Sequence, residues 1–261
     1  MNLCARWLRL HYGVRKGDRV GLIARNMPEY VVTLWACHVL GAVFVPINAF
    51  GEGDLLAFCI DDVDCRVVIC DVERLESLLP KLLGEKKRSS ASLQALVVIG
   101  RKADDIIPTP ARRWANGKMK GVQDWDELNA LYAGAAMDKL CANLVDEEIS
   151  PEDNATILFT SGTTSKPKGV LSSQSQHLAC LFLAKAGVMR AFHRRGYPLP
   201  DPQIDANAGR ALCLVPLFHT TGLQSGVLGA TSSGACLHLM SGGNLQKSIA
   251  IIEKHKITNS E

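Results

Sequence analysis

Four short apolar runs recur in the first hundred residues: RVGLIA at 19–24, AVFVPI at 42–47, RVVIC at 66–70 and ALVVIG at 95–100. Between them lie segments with helical spacing, at about 28–40, 53–62 and 73–83. A run that is apolar at consecutive positions offers no side to water, so as a strand it must be covered on both faces. Strands of this kind alternating with helices predict an α/β fold with a parallel sheet between helical layers. The first helix is also marked at its ends. Pro28 suits the first turn, where its missing N–H is not needed, Glu29 complements the positive end of the helix dipole, and Gly41 suits the exit.

The rhythm breaks over 101–150, where RKADDIIPTPARRWANGKMKG mixes prolines, glycines and charges with little periodicity. That region reads as surface connection with a short helix near Trp125–Tyr132, and the charge run GEKKRSS at 84–90 reads as a solvated loop. Alternation then resumes. ATILFTS is a predicted strand, Ser173 to about Phe192 a helix, ALCLV at 211–215 a strand and Thr221 to about Thr231 a helix. Ala235–Met240 follows as a strand and Asn244–Lys256 as a helix, and ITNSE at the end falls where a further strand is due. The expected organisation is a first α/β subdomain over 1–100, a connecting region over 101–150 and a second α/β subdomain over 151–261.

Composition narrows the class. Hydrophobic residues at 47% and charged residues at 21% belong to a folded chain with a substantial core. A net charge of +3, with scattered lysines and arginines, gives no nucleic-acid surface. The nine cysteines show no C-x-x-C spacing. Cys37, Cys180, Cys213 and Cys236 sit in apolar runs, and Cys59, Cys65 and Cys70 match no metal template, so all of them read as small buried hydrophobes in a reducing, cytoplasmic setting. Peripheral membrane or organelle association is left open by this reading. The uncharged stretches 30–50 and 211–246 are broken by glycine, proline and hydroxyl residues and read as soluble elements rather than membrane spans.

Directly after the ATILF run comes TSGTTSKPKGV, residues 160–170. In open parallel sheets ligands collect at the carboxyl ends of strands, where loops lead into helices, and this segment is expected at such a place. Gly162 and Gly169 allow turning and close approach, the hydroxyls of Thr160, Ser161, Thr163 and Thr164 can surround phosphate oxygens, and Lys166 and Lys168 add positive charge. A triphosphate uses all of these features. The segment is not a Walker A loop, because Pro167 stands where that pattern requires glycine, and GEGDLL at 51–56 lacks the third glycine of a dinucleotide fingerprint. A P-loop phosphotransferase is thereby disfavoured.

Thr160–Val170 resembles the phosphate-binding loop of the adenylate-forming superfamily, which includes acyl-CoA synthetases, luciferases and peptide-synthetase adenylation domains. Two further segments agree in order and spacing. GVRKGDRVGLIARNMPEYVVTLWACHVLGAVFVPIN at 13–48 is similar to the family's N-terminal region, and VPLFHTTGL at 215–223 is similar to its substrate-site segment. The fold implied is that of the family's N-terminal domain, two doubly wound, mostly parallel βαβ subdomains. The activity implied joins a carboxylate to ATP, with Mg²⁺ assisting, releases pyrophosphate, and passes the acyl group to the thiol of CoA. On that resemblance Thr160, Ser161, Gly162, Thr163, Thr164, Ser165, Lys168 and Gly169 form the nucleotide loop, with Lys168 as the cation on the leaving phosphates. His219 is implied beside the acyl-adenylate, positioning the carboxylate or gating its tunnel.

The partners implied are therefore a carboxylic acid, ATP and CoA. The histidine of VPLFHTTG, with no acid nearby, favours an acid without an amino group, and the 192–210 stretch adds a weak likeness to fatty-acyl ligases. Ser165 departs from the family's usual glycine and stiffens the loop. The family's later motifs are not found in the sequence: the tyrosine-glycine-threonine-glutamate segment, the ribose-binding aspartate, the hinge and the terminal lysine. The expectation is an N-terminal part of such a ligase, inactive by itself. The alternative is a noncatalytic remnant that binds nucleotide weakly or serves as an interaction module.

Overall fold

The computed structural model describes residues 2–83, 92–100, 121–134, 148–160, 166–198 and 209–260. They divide into two compact units, one of residues 1–24 and 28–173, the other of 25–27 and 174–261.

The first unit is built on a seven-stranded sheet. Its strands are β1 (Arg19–Ile23), β2 (Val43–Pro46), β3 (Val67–Asp71), β4 (Ala95–Ile99), β5 (Gly121–Asp124), β6 (Asn154–Thr160) and β7 (Lys168–Ser173). Their order is β5-β4-β3-β1-β2-β6-β7. Every neighbouring pair is parallel except β6 with β7, which is antiparallel. β2, β3 and β4 are buried at every position, as runs without a polar side require.

The helices of this unit are α1 (Asn2–Leu10), α2 (Pro28–Leu40), α3 (Gly53–Asp62), α4 (Val72–Leu83) and α5 (Trp125–Leu131). α2 starts and stops where its sequence signals lie. Gly41 takes φ +65°, Gly41 N–H donates to His38 O and Ala42 N–H to Cys37 O, which closes the last turn. The second glycine of GEGDLL has a packing role. A Cβ on Gly53 would collide with the carbonyl of Ser77, so glycine lets α3 lie close against α4. Cys59, Cys65 and Cys70 belong to the apolar core between these helices and the sheet.

In the second unit three parallel strands, β8 (Arg210–Cys213), β9 (Cys236–Leu239) and β10 (Asn259–Ser260), lie in the order β10-β8-β9. Its helical parts are α6 (Gln174–Arg194), a π-helical segment at Thr221–Leu228, the short α7 (Gly229–Ser233) and α8 (Leu245–His255). Asn244 caps α8, its side chain accepting from Lys247 N–H at 2.9 Å.

The fold class is the expected one, and four local expectations are corrected. KGVLSS at 168–173 is a strand paired antiparallel with β6, so a strand stands between the expected loop and the helix that follows. Gly121–Asp124 is a strand within the supposed connecting region. The boundary between units falls after Ser173, not at 150, because β6 and β7 complete the first sheet. Cys236 is exposed and Cys180 only partly buried. No described helix is long and apolar enough to cross a membrane.

Candidate functional site

The described ends of the expected nucleotide loop, Thr160 and Lys168, belong to the antiparallel pair β6/β7. They are its last paired residues, with Phe159 opposite Gly169 and Leu158 opposite Val170. Thr160 and Lys168 are both exposed at the mouth of the hairpin, and Thr160 Oγ1 lies 3.5 Å from Lys168 O. Ser161, Gly162, Thr163, Thr164 and Ser165 lie outside the described residues.

Side chains alternate across a strand, so Lys168 and Gly169 face opposite sides of the sheet. On the Gly169 side there is no room. A Cβ there would stand 2.9 Å from Ile157 Cγ2 and 3.2 Å from Val63 Cγ1. Glycine at this position makes room for the Ile157 and Val63 side chains. Lys166 also has a partner in this unit, its Nζ lying 4.6 Å from the centre of the Phe58 ring on α3. The two lysines of the motif are thus in different surroundings, Lys166 over an aromatic face and Lys168 at the open strand end.

His219 belongs to the second unit, in the turn between β8 and the π-helical segment. Its backbone is held at both groups: His219 N–H donates to Pro216 O at 3.1 Å, and His219 O accepts from Leu223 N–H at 2.9 Å. Phe218 is buried beneath it, the two ring centres 4.6 Å apart, while the imidazole is exposed. Gly222 makes this turn possible, because a Cβ there would collide with the Pro216 carbonyl.

A residue not singled out from the sequence holds the same turn. Asn26 is buried, its Nδ2 donates to Val215 O at 2.9 Å, and its Oδ1 accepts from Leu217 N–H at 2.9 Å. In the sequence it is one polar residue in the RNMPEY turn, and a partner 189 to 191 positions away leaves no local trace.

Among the described residues no group of three His, Cys, Asp or Glu side chains comes together to hold a metal. Burial pushes the Cys59 thiol up to about 12, with Asp62 adding to the effect, and drives Cys37 and Cys70 upward as well. Thiols so protonated are poor nucleophiles and poor ligands.

The profile of the AMP-binding enzyme family matches residues 1–259. A methyl-dioxo-octahydro-indenyl propanoyl:CoA ligase of Mycobacterium tuberculosis is 28% identical over 246 residues, covering 94% of this chain and 41% of the relative. A crotonobetaine/carnitine–CoA ligase of Salmonella enteritidis is 32% identical over 161 residues, 61% of this chain and 26% of the relative. Among solved structures, an anthranilate CoA ligase in complex with anthranoyl-AMP superposes with a TM-score of 0.73 at 21% identity, over 99% of this chain and 42% of that one. A long-chain-fatty-acid–CoA ligase of Archaeoglobus fulgidus gives 0.67 at 24% identity, over 99% and 42%. These structural likenesses concern the fold. The chain spans less than half the length of the relatives it matches.

Proposed function

The chain belongs to the AMP-binding enzyme family, and from that premise we propose that it serves ATP-dependent activation of a carboxylic acid, with a fatty acid preferred, for transfer to CoA. In the first step a carboxylate oxygen bonds to the α-phosphorus of ATP while the bond to pyrophosphate breaks and the leaving group takes the electron pair. In the second the CoA thiol attacks the acyl carbon, AMP departs, and the thiol proton passes to base. Both steps bring anions together, so the protein's contribution is positive charge and donors held at the phosphates.

The observation that carries this reading is the mouth of the hairpin. Thr160 and Lys168 are the last pair of β6 and β7 and stand exposed beside the segment that matches the family's phosphate loop. Lys168 is assigned to the leaving phosphates, and Thr160, Ser161, Gly162, Thr163, Thr164 and Ser165 to the loop that surrounds them. Gly169 supports that loop by packing. ATP fits this set of hydroxyls and a cation. No described residue group fits Mg²⁺, and no residue is assigned to it or to CoA. His219, exposed above buried Phe218, is assigned to positioning the carboxylate. With no acid near it in VPLFHTTGL, an acid lacking an amino group is favoured.

A second reading rests on coverage. The chain spans 41% of its Mycobacterium relative. In this reading the chain is noncatalytic and binds nucleotide weakly or serves as an interaction module. The test is carboxylate-dependent exchange of pyrophosphate into ATP over a panel of acids, with calorimetric titration of ATP alongside. Exchange that falls in Lys168→Ala supports the ligase. ATP binding without exchange for any acid supports the second reading, and absence of both overturns the ligase and nucleotide binding together.

A further inference from the structure

Asn26 follows β1 in the chain yet belongs to the second unit, where its carboxamide faces the main chain of Val215–Leu217. A carbonyl oxygen only accepts and an N–H only donates, so a single orientation of the amide satisfies both contacts. The pairing resembles the one a neighbouring strand would make, supplied here by one side chain. It satisfies main-chain groups on both sides of Pro216, a residue that has no N–H of its own.

From this pairing a continuous set of bonds leads to His219. Asn26 fixes Val215 O and Leu217 N–H at 2.9 Å each, Pro216 O accepts from His219 N–H at 3.1 Å, and His219 O accepts from Leu223 N–H at 2.9 Å. The imidazole itself is exposed, so its place is set through its backbone. We propose that Asn26 is a positioning residue, which sets where His219 meets the carboxylate by holding the 215–217 main chain. The proposal rests on the reading of His219 given above. Asparagine suits the task in a way its neighbours in size do not. Aspartate would put an oxygen against Val215 O, leucine would leave both main-chain groups without this partner, and glutamine reaches one methylene too far.

Two independent measurements test this on the full polypeptide. In the first, Asn26→Ala and Asn26→Asp are combined with His219→Ala and assayed by pyrophosphate exchange. Asn26→Ala is expected to raise the KM for the acid or lower kcat by about 10- to 100-fold, with the KM for ATP little changed. In the His219→Ala background the same change is expected to add almost nothing, because the histidine through which Asn26 acts is gone. Losses that multiply in the double variant, or an ATP KM that moves as far as the acid KM, overturn the proposal. Should Asn26→Ala not fold, Asn26→Asp keeps the shape and the Leu217 bond and is read in the same cycle.

The second measurement does not depend on turnover. Amide hydrogen exchange at Leu217 is expected to quicken about 10-fold or more in Asn26→Ala, while Leu212 in β8 stays as protected as in the wild type. Unchanged exchange at Leu217 overturns the clamp itself. Wild-type protein with no exchange activity for any acid but a Leu217 amide that responds to Asn26→Ala removes the ligase reading, and with it the role assigned to His219, while leaving the clamp.

Discussion

Gly222 lies against the carbonyl of Pro216 so closely that a methyl group there would sit 2.9 Å from Pro216 C and 3.0 Å from Val215 O. Both neighbours are backbone, and Val215 O is already committed to Asn26. Neither can yield without moving the turn that bears His219.

The first prediction follows from that contact. Gly222→Ala forces the backbone apart and is expected to cost about 2–3 kcal/mol, at the upper end for overpacking, because no flexible side chain can absorb the shift. Denaturation in urea measures it. Gly187, whose Cβ would meet nothing within 4 Å, is the control, and Gly187→Ala on the α6 surface should be neutral or slightly stabilising. Equal behaviour of the two variants would remove the steric argument.

A second prediction concerns the junction of β3 and α4. Asp71 accepts from Arg74 N–H at 3.1 Å and from Arg74 Nη1 at 3.1 and 3.2 Å, while Arg74 Nε donates to Ala49 O at 2.7 Å. The carboxylate caps the helix and pairs with a guanidinium that also ties down the loop after β2. Both residues are buried. Arg74→Ala leaves a carboxylate away from water without its cation, an arrangement expected to cost about 3–5 kcal/mol. Asp71→Ala removes the cap and one of the two carboxylates on the guanidinium, which keeps Glu73 Oε2 at 2.6 Å and Ala49 O at 2.7 Å. A loss below about 1 kcal/mol in Arg74→Ala, the range of surface pairs, would show that water reaches the site.

Asp153 supplies a pH-dependent contribution whose sign is fixed. Its carboxylate accepts from Ser150 N–H at 2.6 Å and meets Lys16 Nζ at 2.8 Å. Lys16, and after it Ser150, hold its pKa below the ordinary 3.8. The unfolded chain therefore binds this proton first. The stabilisation is complete above the ordinary value and disappears as pH falls through the lower folded value. Asp153→Asn is expected to flatten that part of the profile when urea midpoints are compared between about pH 6 and pH 3. A variant that loses as much on acidification as the wild type would assign the effect to other carboxylates.

Much of the first unit was legible because its information is local. RVVIC and ALVVIG have no polar side, which demands burial on both faces, and β3 and β4 are buried throughout. Pro28 and Gly41 bound α2 by their own backbone preferences, and Gly41 shows the positive φ that its place required. KGVLSS was not legible as a strand, since it lacks alternation and its glycine signals only once Ile157 and Val63 are packed against it. GVQD is too short to show a period. Asn26 is the plainest case, because its meaning lies in a backbone 189 or more positions away. Pattern reading sees what a residue prefers for itself, and these residues act on something the fold brings to them.

The two lysines of SKPKG give the last prediction. Composition treats them alike, but Lys166 Nζ lies over the Phe58 ring at 4.6 Å, and Lys168 is exposed where β7 begins, across from Thr160. A cation over an aromatic face at an accessible site contributes about 0.5–1 kcal/mol to the fold and is partly committed there. Lys168→Ala is therefore expected to weaken ATP binding about tenfold or more, as loss of a charge-assisted contact to phosphate does. Lys166→Ala should weaken it less and lower stability slightly, by an amount that Phe58→Leu reproduces. Titration calorimetry with ATP, set beside urea midpoints for the three variants, separates the roles. If Lys166→Ala loses the nucleotide and Lys168→Ala keeps it, the assignment of the phosphate cation moves to the residue over Phe58, and the contact with that ring would have to open when ATP arrives.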